Sequence, residues 1–214
     1  MGIMKNRGYP RNFHQRDGQP RRVNQLLWKG DRKIETFEQP TGRMQTLGEA
    51  LHARALLVDR TVVGILDQPP PIEYCAGRWT FPDFEVRYSD GRIEAHEIKD
   101  ERLKDDPKLA ARTKAVTRAY KKLGKKYRVI FSDECYEEKK RHNVQLIIRS
   151  RNYEGASGFL PKAKEFVLKR KQTTLGELKN ATGIDLHCFL SLVCDGHFEI
   201  ELSKDITDDT IVRL

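Results

Sequence analysis

The stretch 81-FPDFEVRYSDGRIEAHEIK-99 decides the fold. Together with Arg78–Thr80 its first half is rich in aromatic and β-favouring residues, and predicts a strand over 78–88. Ser89-Asp90-Gly91-Arg92 is a tight-turn signal. Ile93–Lys99 then returns as a second strand, so the segment reads as a β-hairpin. Side chains two apart on a strand point the same way. Glu97 and Lys99 therefore share a face, and Ile98 turns into the core. The hairpin also brings Asp83 close to the returning strand. Phe81, Phe84, Val86, Ile93 and Ile98 would hold these polar groups on rigid, buried backbone.

Outward from the hairpin, the elements alternate. Leu47, Leu51, Ala55 and Val58 recur at spacings of three and four, which predicts a helix over 46–59. Thr46 can cap it, with Glu49 at the third helical position as in a capping box. Val62–Leu66 reads as a strand that Pro69, Pro70 and Pro71 end. After the hairpin, Asp106–Leu123 reads as a helix with Pro107 in its first turn and Gly124 as its stop. Tyr127–Phe131 is a short strand. Glu134–Arg149 mixes a charged helix with an apolar VQLII run of no firm assignment. Gly155, Gly158 and Pro161 suggest a linker, and Lys162–Arg170 a basic helix. Thr174-x-x-Glu177 is a second capping box and opens a helix that Thr182-Gly183 breaks. Ile184–Cys194 is a further helix, and 197-HFEIEL-202 alternates like a strand.

Two carboxylates that converge beside a lysine suit a hard divalent cation, Mg²⁺ or Mn²⁺, with Glu49 as a further ligand. Phosphodiester hydrolysis needs such a set. The cation polarises the phosphoryl oxygens, and the lysine orients the attacking water or stabilises developing charge. Pro82-Asp83 followed by Glu97-Ile98-Lys99 is the pattern of the PD-(D/E)xK nucleases. The order helix with Glu, strand, PD strand, turn, ExK strand, helix, strand is also the order of their core. The expected fold is accordingly α/β, a restriction-endonuclease-like mixed-sheet core with a small C-terminal winged-helix-like domain. The expected catalytic residues are Glu49, Asp83, Glu97 and Lys99, with Glu49, Asp83 and Glu97 on the metal.

The chain also resembles, over roughly residues 38–132, the N-terminal domain of TnsA, the endonuclease subunit of certain heteromeric bacterial transposases. The residues that carry the likeness are Thr41-Gly42-Arg43, Glu49 in its helix, Asp67-Gln68-Pro69, Asp83-Phe84 and Glu97-Ile98-Lys99. More weakly, 174-TLGELKNATGIDLHCFLSLVCDGHFEIEL-202 fits the family's small winged-helix-like second domain. The resemblance implies cleavage of the 5′ ends of a transposon. It implies as partners double-stranded DNA at the transposon ends, a DDE transposase subunit (TnsB-like) and an AAA+ regulator (TnsC-like). A stand-alone restriction, repair or phage nuclease with the same core, and a non-catalytic DNA-binding assembly protein, stay open beside it.

The 214 residues divide on this reading into a basic arm (1–35), a nuclease domain (36–154) and a winged-helix-like domain (160–214). The net charge is +9, as suits a polyanionic partner. Residues 1–33 hold nine Lys/Arg against Asp17 and Asp31, whereas residues 171–214 hold four against eight carboxylates. The two ends therefore expect different partners, DNA for the first and protein for the second. Lys104, Lys108, Arg112, Lys114, Arg118, Lys121 and Lys122 make the helix after the ExK strand a candidate grip on DNA phosphates. No apolar run approaches the ~20 residues of a membrane span, and the cytoplasm is the expected compartment. The four cysteines read as thiols. His187, Cys188, Cys194 and His197 lie close in sequence, but an adjacent His-Cys pair chelates zinc poorly, and the two cysteines read as core.

Overall fold

The computed structural model describes residues 25–26, 41–42, 46–151, 153–170 and 172–214. The basic arm lies outside these apart from Gln25–Leu26 (β1), whose backbone pairs with Thr41–Gly42 (β2). Among the described residues the chain is mixed α/β, with seven α-helices and a four-stranded sheet that holds both antiparallel and parallel pairs. No helix among them is long and apolar enough to cross a membrane.

Helix α1 spans Leu47–Val58. Thr46 caps it, accepting a hydrogen bond from the Glu49 amide and donating one to the Glu49 carboxylate, each at 3.2 Å. Glu49 thus closes on the capping side chain. Strand β3 (Val62–Asp67) follows and pairs antiparallel with β6 (Phe84–Tyr88), which pairs antiparallel with β7 (Ile93–Lys99). Helix α2 (Pro107–Lys122) then carries the chain back, and β8 (Lys126–Phe131) joins β7 in parallel. The sheet order is β3-β6-β7-β8. Local signals account for the ends of α2. The Asp106 carboxylate caps its start, Pro107 occupies the first turn, and Gly124 takes the left-handed conformation that stops it.

The strand expected over 78–88 is two strands. Arg78–Thr80 (β5) pairs with Ile72–Cys75 (β4) as a separate small hairpin, and β6 begins only at Phe84. Pro82 sits at the break. It has no N–H for a ladder, so the chain leaves one sheet there and enters the other.

Each face of the main sheet has its own apolar cluster. Phe84, Val86 and Ile98 pack with Ala50, Ala53 and Leu57 of α1. Ala95, Tyr127 and Val129 pack with Val116 and Tyr120 of α2. Burying side chains of this size is worth roughly 1.5–3 kcal/mol apiece, which fixes the register of β7. Its odd residues Ala95, Glu97 and Lys99 face α2, and its even residues His96 and Ile98 face α1.

After β8 come α3 (Ser132–Tyr136), α4 (Glu138–Ser150), α5 (Ala156–Leu168), α6 (Leu175–Thr182) and α7 (Leu186–Cys194). The ambiguous VQLII run is helical, with Val144 and Ile147 buried. The expected linker is α5. Gly155 caps it in the left-handed conformation, and Gly158 and Pro161 stand inside it. Buried Ala156, Ala163 and Val167 hold this helix against the C-terminal cluster, which outweighs the hydrogen bond that Pro161 forgoes. The Thr174/Glu177 capping box forms in full. The strand expected at 197–202 is reduced to one bridge, Glu199 with Arg213, while Thr173–Thr174 (β9) pairs with Ile211–Val212 (β10). Phe198 and Ile200 are buried as their alternation foretold, but the partner segment is too short for a ladder. The largest apolar cluster is shared. It joins Val58 of α1 and Val144 and Ile147 of α4 to Cys188, Phe189, Leu192 and Val193 of α7.

Candidate active site

Antiparallel pairing puts the start of β6 and the end of β7 at the same end of the sheet. There the Asp83 carboxylate accepts a 2.7 Å hydrogen bond from the backbone N–H of Ile98, the residue between Glu97 and Lys99. The Asp83 amide in turn donates to His96 O at 2.9 Å. The Pro-Asp element is thereby seated directly on the Glu-x-Lys element. Both carboxylates are buried, Asp83 at 5% exposure and Glu97 at 1%.

Glu97 is the hub of this end. Lys99 Nζ lies 2.5 Å from Glu97 Oε1. Arg112 of α2 donates through both terminal nitrogens, at 3.0 Å to Oε1 and 3.1 Å to Oε2. The Tyr127 hydroxyl of β8 donates to Oε2 at 2.5 Å, and the Thr80 hydroxyl donates to it at 3.3 Å. Arg112 also reaches the Thr80 hydroxyl at 2.9 Å. Burial alone would raise the Glu97 carboxyl. The Lys99 charge, with hydrogen bonds from Arg112, Lys99 and Tyr127, outweighs it and holds the group down at about 2. Glu97 is an anion at every physiological pH. Burial, and next the Glu97 charge, push the Tyr127 phenol well above its ordinary range, so it stays a donor.

Glu49 belongs to the same end through its neighbour. A Cβ built on Gly48 would stand 3.2 Å from Ile98 Cγ2, so the first turn of α1 lies against the ExK strand with no room to spare. Glu49 is itself buried, at 6% exposure. It reaches this end from the α1 face of the sheet, whereas Glu97 and Lys99 face α2.

No family model matches the chain, and no curated protein matches it. The site therefore stands on its own geometry.

The chemistry of three buried carboxylates, all hard oxygen donors, fits a divalent cation such as Mg²⁺. The hydrogen bonding of Glu97 does not, since four protein donors, two of them cationic, already fill its oxygens. Among the described residues no three His, Cys, Asp or Glu side chains converge as a metal cage. Asp83 and Glu49 are thus the residues that would hold the ion. Glu97 would join them only by giving up Arg112 or Lys99.

The expected DNA-contacting residues divide. Arg112 is turned inward onto Glu97, and Lys104 pairs with Asp133. Lys108, Lys114, Arg118, Lys121 and Lys122 are exposed. Of these, Lys114, Arg118, Lys121 and Lys122 recur at spacings of three and four and form one stripe along α2. Cys188 and Cys194 are buried thiols of the C-terminal cluster, neither in a disulfide. Sequence reasoning missed Tyr127 and Thr80 altogether, and missed the inward role of Arg112. These partners lie 30, 17 and 15 positions from Glu97. The one available signal was the alternation of β8, which puts Tyr127 and Val129 on the face that carries Glu97.

Proposed function

We propose that the chain is a Mg²⁺- or Mn²⁺-dependent DNA endonuclease of the PD-(D/E)xK class, with a restriction-endonuclease-like core. The observation that carries this reading is the hydrogen bond from the Ile98 amide to Asp83. It unites the two halves of the motif on the ends of two rigid strands. The element order α1, β3, β6, β7, α2, β8 supports the same class. The bound cation would polarise the scissile phosphate and acidify a water. On this reading Lys99, held by Glu97 at the same sheet end, would orient that water and stabilise charge on the phosphoryl oxygens. The Glu97 hub holds Lys99 in place, which is preorganisation rather than chemistry. The α2 stripe supplies phosphate contacts without reading sequence.

By its resemblance to TnsA, the reading extends to the subunit that cuts the 5′ ends of a transposon beside a DDE transposase. The acidic C-terminal unit, winged-helix-like on this reading, would dock an AAA+ regulator. End-labelled transposon DNA, incubated with Mn²⁺ with and without the transposase, tests this. Cleavage of the 5′ strands that needs the transposase supports the subunit reading. Equal cleavage without it favours a stand-alone nuclease, and no cleavage under either condition removes the enzyme.

A further inference from the structure

A cavity of about 410 Å³ opens on the α1 face of the sheet, away from Glu97 and Lys99. That is the size of many small-molecule sites, roughly 300–1,000 Å³. Its lining is of two kinds. Val144, Ile147 and Phe198 make an apolar wall, while His52, Arg128 and Lys140 bring polar groups from α1, β8 and α4. Lys140 has no ion-pair partner among the described residues, and Arg128 reaches Glu134 at the exposed rim.

His52 is not a loose side chain. Its Nε2 lies 3.0 Å from Nδ1 of His96, whose Nε2 lies 3.4 Å from Glu94 Oε2. Glu94 is in turn held by Arg92 at 2.8 Å. The network orders the tautomers. A carboxylate only accepts, so His96 donates from Nε2 and accepts at Nδ1. His52 must then donate from Nε2, which leaves its Nδ1 a lone-pair acceptor on the ring that lines the cavity. Burial first, then the neighbouring His96 ring and the charges of Arg128 and Lys140, lower the His52 pKa to about 3. The acceptor thus persists at neutral pH, and the two cations evidently bear on the same ring.

We propose that this cavity binds a phosphate monoester of nucleotide size. Arg128 and Lys140 would take the anionic oxygens, His52 Nδ1 would accept from the P–OH group, and the apolar wall would cover the organic body. An oxyanion without a proton, such as sulfate, meets the cations but offers His52 nothing. Asp59, Glu134 and Glu199 also line the cavity, but Asp59 accepts from Thr61, Glu134 pairs with Arg128 and Glu199 with Arg60, so each is already engaged. The inference does not rest on the nuclease reading.

Calorimetric titration of the full chain with inorganic phosphate, AMP and sulfate tests it, at pH about 5.5, where a phosphate with a second pKa of about 6 keeps its P–OH proton and His52 is still an acceptor. The expected result is one site per chain, with AMP and phosphate bound in preference to sulfate. Lys140→Ala, on a partly exposed side chain with no ion-pair partner among the described residues, should weaken AMP about tenfold or more, the worth of one charge-assisted hydrogen bond. His52→Asn should narrow the preference for phosphate over sulfate, and Asp83→Asn should leave binding unchanged. Absence of binding at millimolar AMP overturns the proposal. So do sulfate binding equal to phosphate, indifference to Lys140→Ala, or loss of binding in Asp83→Asn.

Discussion

At the scale of the residue, Glu97 does the most. One carboxylate satisfies Lys99, Arg112, Tyr127 and Thr80 at once. Removing it strands two cations in a half-buried site. Glu97→Ala should therefore cost about 3–5 kcal/mol in urea unfolding. Its pH signature has a definite sign. The folded-state pKa is depressed, so its stabilisation is fully present above pH about 4.5 and is lost as pH falls toward about 2. The stability difference between wild type and Glu97→Gln should shrink across that window; a constant difference would show that the charge is not what matters. On the proposed reading Lys99 is the residue that acts on phosphate. Lys99→Ala should lower cleavage by ~10²-fold or more and leave DNA affinity nearly intact. A variant that cleaves at the wild-type rate removes Lys99 from the chemistry.

At the scale of the element, what was legible in the sequence was what depends on neighbours in the chain. Thr46, Asp106, Pro107, Gly124, Thr174 and Gly183 placed helix ends to within a residue or two, because caps and left-handed turns are local chemistry. The splitting of 78–88 at Pro82, the helical α5 and the missing ladder at 197–202 were not legible. Each is decided by a remote partner, namely β4, the C-terminal cluster and the short β10. The shared face of Glu97 and Lys99 came from spacing alone, since period-two alternation holds wherever the strand ends up, and Asp83 came from the hairpin that brings it to their strand. The inward turn of Arg112 could not, because helix spacing gives a residue's face and not its partner. Two expected outcomes belong to this scale. Gly48→Ala forces a methyl to 3.2 Å from Ile98 Cγ2, so it should displace the first turn of α1 and slow cleavage more than it lowers stability. Unaltered cleavage would mean that Glu49 is not needed there. Changing Lys114, Arg118, Lys121 and Lys122 together to Gln should flatten the slope of log affinity against log salt by roughly 0.9 for each lost phosphate contact. An unchanged slope would make the stripe merely solvated.

At the scale of the whole molecule, the shared cluster matters most. Val58, Val144 and Ile147 pack with the buried face of α7, so the first two-thirds of the described chain lends apolar surface to the last third. Thermal unfolding should follow one cooperative transition by both near- and far-ultraviolet circular dichroism. Two separated transitions would show that the C-terminal unit folds on its own.

Nicking of supercoiled plasmid bearing transposon ends, with Mn²⁺ and the transposase present, compares wild type with Asp83→Asn most directly. The asparagine oxygen can still accept from the Ile98 amide, so the strand end keeps its shape while the carboxylate charge is lost. The account predicts nicking by the wild type, a loss of ~10²-fold or more in the variant, and equal DNA binding and melting temperature for both. Nicking by Asp83→Asn at the wild-type rate would contradict it.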